Sequence, residues 1–172
     1  MRIFLTNLGK YNEGSLVGEW FRLPYTKEEL NAALQRIGIA ANGRYEEYFI
    51  TDYENDLGLK VGEYESLSAL NGVAKCVESF NADEVRLLQA VIELEGVDVS
   101  RAVEVIGRLC EYTLHPDITN EEELGRYTIH DTGKYNLEAI GKLAEYLDYE
   151  AYGRDVNINS NGGFTSFGWV SH

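Results

Sequence analysis

The hydrophobic pattern changes period near Ser66, from the two-residue alternation of strands to the 3.6-residue recurrence of helices. Before that point, residues 2–6 read as a short strand with Ile3 and Leu5 on one face, and Lys10–Gly14 supplies a turn. A second strand is expected over Leu16–Leu23, with Val17, Phe21 and Leu23 set against Glu19 and Arg22, until Pro24 ends it. Thr26 then caps a helix, and Glu29 three residues on completes a capping box. Leu30, Ala33, Leu34 and Ile37 form its apolar stripe, Gly38 closes it, and Ala41-Asn42-Gly43 makes a turn. A third strand over about Glu47–Tyr53 completes a β-rich first unit.

Beyond Ser66, Leu67, Leu70, Ala74 and Val77 line a first helix. Asn81 caps a second, with Glu84 as its box partner and Val85, Leu88, Val91 and Ile92 as its stripe, and Gly96 ends it. Ser100 is the expected cap of a third, with Ala102, Val103, Ile106 and Cys110 inward. Leu109–Leu114 suits either the end of that helix or a strand opening the last unit. Asn120 caps a helix whose first turn is Glu121-Glu122-Glu123, a run that suits the positive end of the helix dipole. A further helix follows Gly133, with Leu137, Ile140, Ala144 and Leu147 as its stripe. Phe164, Phe167 and Trp169 then suggest a final strand. The expected fold class is α+β, in three consecutive small units: β-rich with one helix over 1–61, helical over 62–108, and α+β over 109–172.

Charge adds the strongest compositional signal, with 29 acidic residues against 15 basic ones and a net charge of −14. Such a chain is repelled by nucleic acid and by anionic membrane, and is drawn to basic surfaces. The excess is spread out: nine acids and seven bases over 1–61, then ten and four over both 62–112 and 113–172. A compact catalytic or metal site would concentrate it in one place. No apolar stretch approaches the ~20 residues of a membrane span, and the N-terminal apolar run is too short for a signal peptide. A cytoplasmic protein is expected, with Cys76 and Cys110 as buried free thiols.

Motifs for chemistry are few. Tyr45–Asp56 gathers Glu46, Glu47, Asp52, Glu54 and Asp56 with no Lys or Arg among them. Asp52, Glu54, Asp56 and Glu63 partly match a calcium loop, but Leu57 stands where its sharp turn needs glycine. Asp155-x-Asn157-x-Asn159 begins a similar spacing with Ser166 in place of the final acid, and reads as a polar turn. His130-Asp131 has no recognisable catalytic partners, and His130 reads as a helix-end residue. Three scattered histidines and two lone cysteines make no zinc spacing. Phosphate-loop, dinucleotide and nucleophile-elbow motifs are all missing from the sequence. No enzymatic activity and no cofactor are expected.

Three blocks carry a family resemblance. Asn7-Leu8-Gly9-Lys10-Tyr11-Asn12-Glu13-Gly14, followed by Leu16-Val17-Gly18 and Trp20-Phe21, resembles the opening of the ArdA antirestriction proteins. Glu46-Glu47-Tyr48 through Asp52-Tyr53-Glu54 is similar to their second shared block, and Asp148-Tyr149 with Ala151-Tyr152-Gly153-Arg154-Asp155 to their third. The resemblance implies a small acidic protein of mobile genetic elements, elongated, built of three units and paired as a homodimer. It would mimic duplex DNA and occupy the DNA-binding groove of the specificity and methyltransferase subunits of a type I restriction–modification enzyme. Incoming DNA would thereby be protected without any chemistry, and the chain itself would bind neither nucleic acid nor membrane.

The carboxylates expected to form the mimic surface are Glu46, Glu47, Asp52 and Glu54, then Glu63, Glu65, Glu78, Asp83, Glu84, Glu93, Glu95, Asp98, Glu104 and Glu111. Glu121, Glu122, Glu123, Glu138, Glu145, Asp148 and Glu150 complete the set. Tyr112, Tyr127, Phe164 and Trp169 are candidates for a dimer contact or, for most of them, core packing. Two other classes compete: an acidic adaptor or inhibitor of another basic DNA-binding protein, and a calcium-binding protein using Asp52–Glu63.

Overall fold

A computed structural model describes residues 1–172, apart from the side chains of Leu137 and Ile140. The fold is α+β, and its contacts group the chain into two compact units: 1–85 with 97–107, and 86–96 with 108–172. The helices of the 62–108 segment are shared between these two units.

The first unit opens with β1 (Arg2–Asn7), α1 (Leu8–Asn12), β2 (Gly18–Arg22), α2 (Lys27–Arg36) and β3 (Tyr48–Glu54). Its antiparallel sheet runs β2-β1-β3, which places Ile3 opposite Phe21 and Tyr53. Ile3, Leu5 and Phe21 are buried, as are Ala33 of α2 and Ile37 at its end. The capping box at Thr26 and Glu29 is present. Of the expected turn at Lys10–Gly14, Glu13 and Gly14 do turn, with Gly14 at a φ of 86°. Lys10–Asn12 belong to the short helix α1, which begins where the Asn7 side chain accepts a hydrogen bond from the Lys10 backbone N–H at 2.9 Å. Asn7 is fully buried, and its amide donates to the Ile37 carbonyl at 3.0 Å, so no polar group is stranded.

Helices α3 (Leu67–Ser79), α4 (Ala82–Glu95) and α5 (Val99–Gly107) follow. Ser66 caps α3, and Asn81 with Glu84 closes a box at the start of α4. Asp98, not Ser100, caps α5: its Oδ1 accepts from the Arg101 N–H at 2.8 Å. The buried face of α5 therefore begins at Val99 and continues through Ala102 and Val105. Val103, 100° further round than Ala102, points outward, and Cys110 lies beyond the helix end and is exposed. Cys76 is half-buried, and both thiols are free.

The second unit holds residues 86–96, a 3-10 turn at Leu109–Glu111, β4 (Thr113–His115), α6 (Glu121–His130), α7 (Leu137–Ile140), a 3-10 stretch at Gly141–Tyr146, and α8 (Tyr149–Asn159). A hairpin of β5 (Gly163–Thr165) and β6 (Gly168–Ser171) pairs with β4 in the order β4-β6-β5. Leu109–Leu114 thus holds both a helical turn and the start of a strand. Ile118, Leu124 and Trp169 form the core, with Tyr127, Val156 and Phe164 packed on it. Tyr112 and Trp169 are buried and Tyr127 and Phe164 half-buried, so these four aromatics pack inside their own unit.

Two expectations fail in this unit. The single helix after Gly133 is broken at Gly141, whose φ of 53° leaves the helical region. Ala144 and Leu147 are half-buried, and the expected contacts of Leu137 and Ile140 lie outside the described side chains. Asp155, Asn157 and Asn159 lie on α8, not in a polar turn; Asp148 caps that helix, and Asn157 accepts from the Trp169 indole N–H at 3.1 Å.

Helices α6 and α8 meet backbone to backbone at two glycines. A Cβ placed on Gly125 would strike the Tyr149 carbonyl oxygen, and one on Gly153 the Glu121 carbonyl oxygen. Gly72 in α3 is the opposite case, with open space where a Cβ would go. We therefore expect Gly153→Ala to destabilise the second unit by about 2–3 kcal/mol, read as a lower urea midpoint. Gly72→Ala should raise stability by about 0.5–1 kcal/mol in the same assay.

Capping also sets an acid limit. The Thr26 N–H and hydroxyl hold the Glu29 carboxyl below its ordinary value, and Thr119 does the same for Glu123. A depressed folded pKa contributes stability that is present above the unfolded value near 4.5 and is lost as pH falls through the folded one. Glu29→Gln with Glu123→Gln should flatten the fall in unfolding free energy below about pH 5, measured by urea titration at stepped pH.

Candidate functional site

Eighteen of the 21 carboxylates expected on the mimic surface are exposed, and Glu65, Glu121 and Glu123 are half-buried. Each unit carries a net charge of −7: sixteen acids and nine bases in the first, thirteen and six in the second. These side chains divide by what they touch.

Five face a cation. Arg2 donates twice to Glu54, at 2.6 and 2.8 Å, and those hydrogen bonds hold the Glu54 carboxyl below its ordinary value. Arg101 meets Glu104 at 2.6 Å, Arg126 meets Glu122 at 2.8 Å, and Arg154 meets Glu150 at 2.9 Å, each across one helical turn. Glu111 has Arg108 at 4.0 Å and His172 at 3.5 Å. All are exposed pairs, of the kind worth at most about 1 kcal/mol.

Eight more accept hydrogen bonds that organise the backbone or tie segments together. Glu84, Asp98, Glu123 and Asp148 serve the beginnings of α4, α5, α6 and α8. Glu93 accepts from the Ser166 N–H at 2.8 Å and from its hydroxyl, holding the β5–β6 turn. Tyr112 donates its hydroxyl proton to Glu95 at 2.6 Å, while Asp52 and Glu65 accept from the next residue's N–H.

The other eight, Glu46, Glu47, Glu63, Glu78, Asp83, Glu121, Glu138 and Glu145, make no ion pair or side-chain hydrogen bond among the described residues. They are spread over both units, on loops, helix ends and helix starts. With no internal partner, their charge is available to an outside cation.

The calcium spacing does not become a loop. Asp52 and Glu54 lie in β3, and Ile50 of the same strand donates to the Glu63 carbonyl at 2.8 Å. Among the described residues no group of three or more His, Cys, Asp or Glu side chains is placed to hold a metal. His130 ends α6 beside the Tyr149 hydroxyl at 2.9 Å, and burial pushes the His115 imidazole below its ordinary value. His115 Nε2 faces the Ser171 hydroxyl at 3.3 Å, but among the described residues neither imidazole is hydrogen-bonded to a carboxylate that would orient it as a base.

The three resemblance blocks fall on packing and capping positions. Asn7 caps α1 and Gly9 lies against the Tyr45 ring. Gly18 lies against the Leu5 carbonyl, and Gly153 against that of Glu121. Sequence reasoning also missed a groove beside β3, lined by Tyr25, Tyr48, Phe49, Glu63, Tyr64 and Glu65 among others, with no Lys or Arg on its walls. Its tyrosines are far apart in the chain, so no local pattern announces it.

A search of curated proteins returned no match. Against family models, the chain matches that of the antirestriction protein ArdA over residues 3–171. The match spans both units and nearly every residue, and the chain belongs to the ArdA antirestriction protein family.

Proposed function

We propose that this chain protects incoming DNA by mimicking it: its carboxylates stand in for phosphates in the DNA-binding groove of a type I restriction–modification enzyme. The observation that carries this is the pairing of family membership with eight exposed or half-buried carboxylates that have no partner among the described residues, spread over two units of equal net charge. A DNA-binding groove is lined with Lys and Arg to match about one phosphate per 1.7 Å of duplex axis. A folded surface whose acids are already held in place competes with DNA for that lining at little ordering cost. The chain acts as an inhibitor without catalysis, in the bacterial cytoplasm, as a homodimer whose two-fold symmetry suits an enzyme that grips two half-sites. The division into segments 1–61, 62–108 and 109–172 stays with this proposal as the spacing of the charge along the mimic.

The decisive experiment is competition between this protein and a cognate DNA duplex for a purified type I enzyme, across a salt series. Inhibition should weaken steadily as the Debye length shrinks from ~10 Å at 0.1 M to ~3 Å at 1 M. Inhibition unchanged at 1 M salt would overturn the electrostatic account.

Neutralisation should separate the carboxylate classes. Single changes such as Glu78→Gln or Glu138→Gln should each cost about 0.5–1 kcal/mol of binding and sum approximately when far apart. Glu84→Ala, which removes the acceptor for the Asn81 N–H, should lower stability by about 1 kcal/mol. One neutralisation that abolished inhibition in a folded protein would mean a discrete site.

A further inference from the structure

The groove beside β3 differs from the other surface depressions described, which all carry arginine: Arg2 and Arg22 in one, Arg126 in another, Arg44 in a third. It has a volume of about 480 Å³ and combines three tyrosines with two glutamates. Each wall is anchored. Asn71 of α3 both accepts from the Tyr25 N–H at 2.7 Å and donates to its carbonyl at 3.1 Å. Tyr64 stacks on Phe49 with ring centroids 6.1 Å apart and planes 24° from parallel. The Ile50 N–H holds the Glu63 carbonyl, fixing the 60–66 loop against β3. Partial burial, and secondarily the neighbouring Tyr48, push the Tyr25 phenol up from its ordinary value.

Tyr64 nevertheless leaves 74% of its surface to solvent while stacked on Phe49. Glu63 is exposed with no ion pair among the described residues. Aromatic faces beside an unpaired carboxylate, with no competing cation, are complementary to a planar cation. Guanidinium stacks on such rings and is more weakly hydrated than ammonium.

We propose that this groove receives an arginine side chain of the basic partner protein, with Glu63 supplying the countercharge and Tyr64 the stacking face. It is thus a specific anchor within an otherwise distributed electrostatic surface. The proposal rests on the antirestriction reading for the identity of the partner, and on the groove alone for the chemistry.

The test has two arms. In the first, N-acetyl-arginine amide is titrated into the full chain and backbone amide shifts are followed by NMR, with the citrulline and lysine counterparts as comparisons. Arginine should shift residues 63–66 and 48–50 saturably, citrulline should not, and lysine should bind several-fold more weakly. Equal binding of citrulline would overturn the cation assignment, and no response of the groove would overturn the site. In the second, Tyr64→Leu, Tyr64→Phe and Glu138→Gln compete with DNA for a type I enzyme. Tyr64→Leu changes no charge, yet should weaken inhibition about tenfold; Tyr64→Phe should retain it, and Glu138→Gln should fall by a few-fold at most. Wild-type inhibition by Tyr64→Leu would overturn the anchor and leave mimicry standing. Failure of the unmodified protein to inhibit would instead overturn mimicry, and the arginine titration then judges the groove by itself.

Discussion

Repulsion among 29 carboxylates on 172 residues is the constraint to which the structure answers. Left unopposed, a net charge of −14 favours expansion of the chain. The fold opposes it in two ways that need no deep burial of charge. Glu29, Glu84 and Glu123 sit in the first turns of helices, where the dipole favours negative charge and each carboxylate accepts from a backbone N–H at the helix start. Arginines spaced one helical turn away, or across the sheet as with Arg2 and Glu54, face a second group. What is left over is the set without partners.

That remainder links stability to function. A carboxylate already satisfied by a cap or an arginine must give up an interaction before it serves an outside cation. One without an internal partner has nothing to give up. The proposed mimicry would draw on charge the fold tolerates but does not use, while the capping acids preserve the helices that position it. The groove beside β3 adds a different element, because its tyrosines would contribute through ring faces and shape where charge alone is indifferent to the identity of the cation.

Close backbone packing fixes the rest of the second unit. Gly125 and Gly153 let α6 and α8 approach until their backbones touch, and the β4-β6-β5 sheet closes over Trp169 with an indole hydrogen bond to Asn157. The family blocks fall on such places: Asn7 as a buried cap, Gly9 against a tyrosine ring, Gly153 against a carbonyl. They mark positions where one residue type solves a local steric or hydrogen-bonding problem. Under the proposed mimicry the carboxylates would meet a looser requirement, since their collective charge would matter more than any one position.

Wherever neighbours along the chain decide the outcome, the sequence alone was sufficient. The capping boxes at Thr26 and Asn81, the cap at Asn120, the alternating strand at the N-terminus and the α+β class are all local or compositional. Charge excess and the family blocks are legible in the same way. Tertiary structure decided what depends on approach between distant segments. It drew Lys10–Asn12 into a helix ahead of the turn at Glu13–Gly14, with Asn7 held by the Ile37 carbonyl as well as capping α1. It folded the Asp155–Asn159 segment into α8, tied to the last strands by the Trp169 indole, whereas the α5 cap at Asp98 and the break at Gly141 are local features. It also sorted identical glutamates into paired, capping and unpartnered groups, and brought Tyr25, Tyr48 and Tyr64 to one groove. Hydrophobic periodicity records the path of the chain, but which side chains meet across a fold is set by packing that no single stretch contains.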